Sequence, residues 1–232
     1  MKKFGFTLAE VLITLGIIGV ISALTMPTFT QKTQNAKTGP QLGKAASSME
    51  SALKAVLRRA DVDELISLDL CDDGTNTCTN RGYAMDDNTG KLLLINIAAF
   101  MDGQLNPEQP HPTFLNDISA YYVAKDGTWY GFAKDDWNIE NGELANHSVA
   151  IPKLIIDLNG IKAPNKNGRD IFYFYVMQDG SLKPWGSSDD KSFYITEHSK
   201  PWTEVCPVNE IPTDCAYCAA HIIDNGMKVE YK

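Results

Sequence analysis

Five cysteines are the side chains of this sequence with the widest chemical range. Three of them precede a histidine in a pattern that fits a zinc site with three thiolates and one imidazole: Cys206, Cys215, Cys218 and His221. The "CAYC" stretch from Cys215 to Cys218 is also the C-x-x-C pattern of thiol redox proteins. All five cysteines, however, follow an apolar N-terminal segment, which favours export into an oxidising compartment. We therefore expect structural disulfides rather than zinc or redox chemistry.

The short spacing of Cys71 and Cys78 predicts the first disulfide. The loop between them, "DDGTNT", is rich in residues that allow a sharp reversal and bring two Cα atoms within about 7 Å. Cys206 is expected to pair with Cys215 or Cys218, because the prolines of "PVNEIPTD" let that segment loop back. A bridge between Cys215 and Cys218 is the third option, and it constrains the chain less. Each route leaves one of the three C-terminal cysteines free.

A second group of candidate ligands lies in "DLNGIKAPNKNGRD". Its side-chain oxygens come from Asp157, Asn159, Asn165, Asn167 and Asp170. Calcium prefers hard oxygen ligands of this kind. The spacing is not that of an EF-hand loop, because Gly160 comes too early, and Asn, Asp and Gly are also favoured in ordinary turns. The stretch predicts either a calcium site or a turn-rich connection between strands.

Other chemistry is not indicated by the sequence. It contains no G-x-S-x-G, H-E-x-x-H or P-loop motif, and His111, His147 and His198 lie in polar stretches without metal or triad spacing. The formal net charge is −8, and removal of Lys2 and Lys3 with a leader gives −8 − 2 = −10, so nucleic acid is not an expected partner. Because these motifs are missing, the sequence gives no support for enzymatic activity. With 44% hydrophobic and 22% charged residues, the chain is expected to fold around one substantial core.

The N-terminal segment "MKKFGFTLAEVLITLGIIGVISALTMPTF" is the most unusual part of the sequence. Residues 7–26 are apolar apart from Glu10 and a few small polar residues, and as a helix they extend about 30 Å, which is enough to span a membrane. The lysines before this segment predict a cytoplasmic N-terminus. A carboxylate at the centre of a membrane helix costs about 2.5–3.5 kcal/mol or more. Glu10 therefore either lies near the headgroups or awaits a positive partner from another chain.

A secretory signal peptide is the alternative interpretation of this segment. Its basic start fits, and Ile21-Ser22-Ala23 is a passable cleavage site that would leave Leu24 as the mature start. The apolar run is long for a signal peptide, however, and it contains Glu10.

The stretch "GFTLAEVLITLGIIGVISALTMPTF" resembles the N-terminal signature of type IV prepilins and type II secretion pseudopilins. In that family a prepilin peptidase cuts after a glycine and the new N-terminal phenylalanine is methylated. The resemblance implies cleavage between Gly5 and Phe6, methylation of Phe6, and a glutamate, Glu10, at the fifth mature position. The resemblance covers about the first tenth of the chain, and several features of the family signature occur at their expected positions.

The resemblance implies a structural filament subunit, of a pilus or of a secretion pseudopilus. The ammonium created on Phe6 by cleavage would then meet Glu10 of a neighbouring subunit, which offsets the cost of the buried carboxylate. The implied partners are other subunits, the peptidase, an inner-membrane assembly platform and membrane lipid. The implied location is the inner membrane, with a single pass and a periplasmic or extracellular domain. Some pseudopilins bind calcium near their sheet, which adds to the case for the 157–170 stretch. The rival interpretation is an exported soluble redox or metal protein that uses Cys215 and Cys218.

The elements that would position these residues indicate an α+β fold. After Pro27 a helical stripe continues to about Ala60, at three- and four-residue steps: Leu42, Ala45, Met49, Leu53 and Val56. We predict a long N-terminal helix, broken or bent near Pro27 and Gly39-Pro40 because proline lacks a backbone donor, and packed on an antiparallel sheet. The predicted division is a leader at 1–5, a helix at 6–60 with a membrane span at 7–26, and a globular domain at 61–232.

Three segments of the predicted domain have strand signals. They are the hairpin "SAYYVA"–"KDGT"–"WYGFA", then "VAIPKLIIDL", then "IFYFYVM". The segment "KLLLINIAAFMDG" is a short buried helix or a strand, which its periodicity cannot separate. The segment "DCAYCAAHIIDNG" is predicted as a short helix with Asp214 as its N-cap and Gly226 past its end.

Overall fold

The protein, described here by a computed structural model, is built on one long helix and an antiparallel sheet. The structure describes residues 7–72, 77–80, 87–105, 121–133, 153–185 and 218–229. The helices are α1 (Leu8–Ala60), a 3₁₀ turn (Leu65–Ser67), α2 (Asp87–Ala98) and α3 (Cys218–Asp224). The strands are β1 (Asp69–Asp72), β2 (Thr77–Asn80), β3 (Gly103–Leu105), β4 (Tyr121–Ala124), β5 (Trp129–Ala133), β6 (Lys153–Asp157), β7 (Ile171–Val176) and β8 (Leu182–Pro184). The predicted α+β fold is confirmed.

Helix α1 runs without interruption through both predicted break points. Its 53 residues include Pro27 and the Gly39-Pro40 pair, so the predicted break is wrong at both places, while a bend stays a prediction. A single proline removes one backbone hydrogen bond, and the turns on either side can hold the helix together when other contacts support it. The helix ends as predicted, at Ala60, where Asp61 adopts a left-handed conformation with φ 56°.

Gly39 has a packing role that its sequence position did not reveal. A Cβ on Gly39 would overlap the backbone carbonyl of Met227, which follows α3, and a Cβ on Gly43 would lie 3.2 Å from the Met227 methyl group. Gly39 is also the first buried residue along α1 among those whose burial the structure describes. Glycine is needed here because the C-terminal segment crosses the helix at backbone distance.

The sheet has six strands in the order β3-β4-β5-β6-β7-β8, and every neighbouring pair is antiparallel. The predicted β4–β5 hairpin and the predicted strands β6 and β7 are confirmed. The segment that sequence periodicity left open is helical, as α2. Strands β1 and β2 form a separate two-stranded hairpin.

The core lies between one face of the sheet and the helices. Cross-strand partners on that face are almost fully buried, and they are Tyr122, Tyr130, Phe132, Leu154, Ile156, Phe172 and Phe174. The predicted stripe of α1 packs against them, with Leu42, Met49 and Leu53 at 0% exposure. The Tyr130 hydroxyl donates to the carbonyl of Ala45 at 3.3 Å, which fixes the helix on the sheet. Burial of this stripe supplies the main stabilisation of the C-terminal half of α1.

Candidate functional site

The N-terminal half of α1 projects its apolar side chains away from the domain. Leu8–Met26 is long and apolar enough to cross a membrane, and none of that segment is buried against the described parts of the chain. Large side chains are exposed on every side of the helix: Leu8, Val11, Leu12, Ile13, Leu15, Ile17, Ile18, Val20, Ile21, Leu24 and Met26. A helix that is apolar all round needs lipid or other helices as its surroundings. This half of α1 is therefore a contact surface for something outside the domain.

Glu10 lies in the first turn of α1 and forms a capping box with Thr7. The Glu10 Oε2 atom accepts from the Thr7 backbone N–H at 2.7 Å and from the Thr7 hydroxyl at 2.8 Å. In return, the Glu10 backbone N–H donates to the Thr7 Oγ1 atom at 3.3 Å. Such a box satisfies two donors at a helix start, where backbone N–H groups otherwise lack partners. The carboxylate is thus held at the positive end of the helix.

The capping role of Thr7 was missed by the sequence reasoning. Its signal was present, because Thr7-Leu8-Ala9-Glu10 matches the S/T-x-x-E pattern directly before an apolar run. The residues predicted for cleavage and methylation, Gly5 and Phe6, lie outside the described residues. Glu10 itself stands where the sequence placed it, one turn from the position expected for the mature N-terminus.

The structure places the cysteines of β1 and β2 directly opposite each other. Cys71 and Cys78 are Cα partners in the antiparallel register of the hairpin. Opposed residues in antiparallel strands have Cα atoms about 4.5 or 5.5 Å apart, and both separations fall within the range of disulfides. The predicted pairing therefore has the backbone geometry it requires.

Cys218, at the start of α3, is a free cysteine in the part of the chain that the structure describes, and the predicted pairings that include it stay predictions. Cys218 is buried, and burial raises the pKa of this thiol to about 12, although the positive charge of Arg169 opposes the rise. The thiol is therefore protonated at neutral pH, whereas redox and zinc-binding cysteines act as thiolates. Cys206 and Cys215 lie outside the described residues, as does Asp214, the predicted N-cap of this helix.

Two residues of the alternative zinc set, Cys218 and His221, lie within the described residues. Cys218 and His221 lie on adjacent turns of α3, and both are buried. Within the described ranges, no group of three or more His, Cys, Asp and Glu side chains is arranged to hold a metal ion.

The predicted oxygen ligands lie in and beside the connection between β6 and β7, residues 158–170. Asp157 and Asp170 stand at its two ends and are 1% and 3% exposed. The Asn159 side chain lies near enough to Asp170 to lower the pKa of that carboxyl group, while its Nδ2 atom donates to the Ala163 carbonyl at 3.4 Å. Asn167 has a different use, because its Oδ1 atom accepts from the Tyr173 hydroxyl at 2.9 Å. The Asn165 amide group bonds to carbonyls of its own loop.

The two buried carboxyl groups have altered proton affinities. Burial raises the pKa of Asp157 to about 7, and the charge of Asp170 adds to this rise, while the backbone N–H groups of Asn159 and Gly160 oppose it. Burial also raises the pKa of Asp170, against hydrogen bonds from Lys166, Asn165 and Asn159. Two carboxyl groups in one poorly solvated place repel each other when both are ionised.

Comparison with known proteins identifies the N-terminal segment. A family model described as the prokaryotic N-terminal methylation motif matches residues 1–26. No curated protein and no solved structure matches the chain. An apolar helix long enough to span a membrane and this motif together fit a protein that is first anchored in a membrane and then exported. The chain therefore carries the N-terminal signature of type IV pilins and pseudopilins, on a long helix that continues into an α+β domain.

Proposed function

We propose that this protein is a non-enzymatic structural subunit of a type IV pilus-like or type II secretion pseudopilus filament. The observation that carries the proposal is the exposed apolar half of α1, which bears the methylation motif and continues unbroken into the core of the domain. In the precursor this half spans the membrane, and in a filament it packs against the same half of neighbouring subunits. One surface thus serves two apolar environments in turn.

Processing prepares the chain for assembly. A prepilin peptidase cuts between Gly5 and Phe6, and the new N-terminal Phe6 is methylated on its amine. Lys2 and Lys3 keep this end on the cytoplasmic side, so the domain lies in the periplasm or outside the cell. The partners are the peptidase, an inner-membrane assembly platform, membrane lipid and other subunits.

Glu10 guides docking between subunits. Its capping box with Thr7 holds the carboxylate at the end of the helix, close to the position of the mature N-terminus. A carboxylate can accept several hydrogen bonds, so the Phe6 ammonium of a neighbour can add to those from Thr7. Pairing of the two charges lowers the cost of their burial in an apolar bundle.

N-terminal sequencing of the membrane-bound protein tests the processing step. The expected mature start is Phe6, and a Gly5→Arg variant should remain uncut, because a bulky charged side chain does not fit a subsite that takes glycine. The matched control is Lys3→Arg, which keeps the charge of the leader and should be processed normally. A mature start at Leu24 would contradict the proposal and support an exported soluble protein.

We further propose two disulfides in the exported domain, Cys71–Cys78 and Cys206–Cys215. The opposed register of the first pair supports it, and the free thiol of Cys218 leaves Cys215 as the remaining partner of Cys206. Closing each short loop stabilises the fold by about 2–3 kcal/mol. Peptide mapping without reductant should find these two bridges and a Cys218 thiol that reacts with alkylating agents only after unfolding. Five free thiols in the exported protein would refute both pairings.

A further inference from the structure

The stretch of α1 between its apolar half and the core of the domain carries only positive charge. Residues 11–49 contain no acidic residue, and their three ionisable side chains are lysines. Lys44 is paired with Asp126 at 2.7 Å. Lys32 and Lys37 are exposed, and within the described part of the chain neither forms an ion pair. A chain with a formal net charge of −8 thus has a local excess of positive charge on this stretch of the helix.

The connection between β6 and β7 adds two more exposed lysines. Between Asp157 and Asp170 its charged residues are Lys162, Lys166 and Arg169, with no acidic residue among them. Lys162 and Lys166 are exposed and have no ion pair with any described residue. The two aspartates are only 1% and 3% exposed, so their carboxyl groups lie inside the connection. Its outer surface is therefore positive.

Arg169 fastens this connection to α1. Its Nη1 atom donates to the Asn35 Oδ1 atom at 3.3 Å. Its side chain also lines a small cavity of about 130 Å³ between the connection and the helix, together with Pro164 and Lys37. Pro164 lies in sequence between the two exposed lysines of the connection, so these lysines lie close to Lys37. The four exposed lysines of the helix and the connection form a basic collar: Lys32, Lys37, Lys162 and Lys166.

The neighbouring elements do not offset the charge of the basic collar. The segment of α3 and the residues after it carries Asp224 and Lys228, both exposed, whose formal charges cancel. At the β4–β5 turn, Lys125 pairs with Asp102 at 3.1 Å. The described elements beside the collar are thus close to neutral, and the collar keeps its positive charge.

The basic collar lies at the height where an anchored chain meets the lipid headgroups. The apolar span ends at Met26, and Lys32 and Lys37 follow it by about 9 and 16 Å along the helix. The headgroup region is about 5–8 Å thick, and the field of charged lipids extends about 8–10 Å beyond it. The connection lies beside the same turns of α1, so its lysines are within range of that field as well.

Two exposed apolar side chains accompany the lysines. Phe29 follows the span by three residues and is 74% exposed, and Ile161 directly precedes Lys162 and is 49% exposed. Apolar side chains next to lysines are typical of surfaces that enter the boundary between headgroups and acyl chains. Both the charge and the apolar side chains of the collar therefore fit a lipid surface.

We propose that the basic collar docks on anionic phospholipid headgroups while the subunit is anchored in the membrane. Clusters of basic residues directly beside a membrane helix are attracted to anionic lipids. The same lipids repel the acidic remainder of the domain, so docking selects the side of the domain that faces the membrane. An acidic face of a second subunit offers the same charge, but the anchored helix brings the collar to the headgroups before any second subunit is met. The inference rests on the membrane-anchored stage of the proposed function and not on the filament.

Lysine acetylation of the full chain in lipid nanodiscs tests the proposal, with one chain per disc to exclude a second subunit. One set of discs is pure phosphatidylcholine, and the other contains about 30% phosphatidylglycerol, which makes the surface negative. In the anionic discs the acetylation of Lys162 and Lys166, read by mass spectrometry, should slow by about threefold or more, because headgroups cover their ammonium groups. Salt at about 0.5 M should abolish the difference, since it shortens the Debye length to about 4 Å.

Lys91 of α2 is the internal control. It is exposed, and α2 lies near the far end of α1, where Arg59 donates to the Asn96 Oδ1 atom. Arg59 is about 36 Å beyond Asn35 along the helix. Lys91 should therefore react at the same rate in both kinds of disc.

A double variant, Lys162→Gln with Lys166→Gln, separates docking from mere nearness to the membrane. In the native chain, hydrogen exchange of the backbone amides of residues 158–170 should be slower in anionic discs than in neutral discs by about threefold or more. The double variant should lose most of this difference. The matched control, Arg58→Gln with Lys91→Gln, removes two exposed charges from the far end of α1 and from α2, and it should keep the native difference.

The same exchange data separate failure of the docking from failure of the membrane stage. Equal acetylation of Lys162 in both discs, with slow amide exchange in residues 8–26, would overturn the docking and leave the span intact. Fast exchange in residues 8–26 would contradict the membrane-anchored stage itself. Native behaviour of the Lys162→Gln, Lys166→Gln variant, or protection that requires two chains per disc, would also overturn the proposal, the latter in favour of a second subunit as the partner.

Discussion

The two halves of helix α1 share one backbone and have opposite surroundings. Before Met26 the large apolar side chains are between 44% exposed, at Val11, and 81% exposed, at Leu8. From Leu42 to Leu57 the apolar side chains of the stripe are at most 4% exposed. Both halves use leucine, valine, alanine and methionine, so residue type does not explain the difference.

Spacing explains it. In the second half apolar residues recur every three or four positions, which gives one apolar face, and the domain covers that face. In the first half they occur at almost every position, so a single domain packed on one side could never cover them. The comparison teaches that one continuous helix can serve the fold with one half and an external apolar environment with the other.

The largest expected effect comes from Glu10, the charged residue of the external half. Glu10→Leu should be cleaved and inserted into the membrane at least as well as the native chain, because it lacks the costly carboxylate. Its entry into filaments should fall by about tenfold or more, since the neighbouring Phe6 ammonium is left unpaired in an apolar bundle. The measurement is the ratio of sheared filament to mature subunit in the membrane.

Thr7→Val separates docking from capping. It keeps the Glu10 charge and removes the hydroxyl cap, which is worth about 1 kcal/mol of helix stability. We expect near-native assembly for this variant. If Thr7→Val assembles as poorly as Glu10→Leu, capping rather than pairing explains why the glutamate is there.

Truncating one leucine in each half of α1 should change the free energy of unfolding by different amounts. Leu53 is fully buried, and Leu53→Ala should lower the free energy of unfolding by about 3 kcal/mol through lost burial and a cavity. Leu15 is 61% exposed, and Leu15→Ala should change it by less than about 0.5 kcal/mol. Denaturant unfolding of both variants in detergent, followed by tryptophan fluorescence, gives the two values. Equal losses would mean that the first half also packs on the domain.

A smaller loss of stability than that of Leu53→Ala is expected from one of two matched glycines. Gly39→Ala should lower the free energy of unfolding by about 1–2 kcal/mol, because the new methyl group overlaps the Met227 carbonyl and the C-terminal segment must shift. Gly16 has no described residue near its Cβ position, so Gly16→Ala should leave the domain unchanged or strengthen the helix. A neutral Gly39→Ala would show that the segment after α3 moves away at little cost.

The features predicted from the sequence are those with local causes. The stripe from Leu42 to Val56 and the hairpin from Tyr121 to Ala133 follow from periodicity and turn residues, which neighbouring positions determine. The short strands β3 and β8 have no such signal, since three residues are too few to show alternation. The packing role of Gly39 was missed because its partner, Met227, is distant in sequence.

The same division holds for the candidate sites. The sequence pointed to Glu10 because a carboxylate is unusual in an apolar segment. It pointed to Asp157 and Asp170 because their stretch is rich in side-chain oxygens. Which oxygens of the loop remain without donors depends on backbone directions in the folded connection, and single-sequence reasoning has no access to those. Likewise, the burial that leaves Cys218 a protonated thiol arises from contacts with the core.

The unbroken course of α1 has a consequence for rotational phase. Successive helical residues are turned by about 100° and raised by 1.5 Å, so a rigid helix converts residue count into both angle and height. With no break at 27 or 39–40, the direction in which the domain lies around the helix axis is set by the number of residues between the external half and the first buried turn. One inserted residue in 28–38 would swing the domain by about 100°, whereas seven, close to two full turns, would nearly restore its direction about 10 Å farther out.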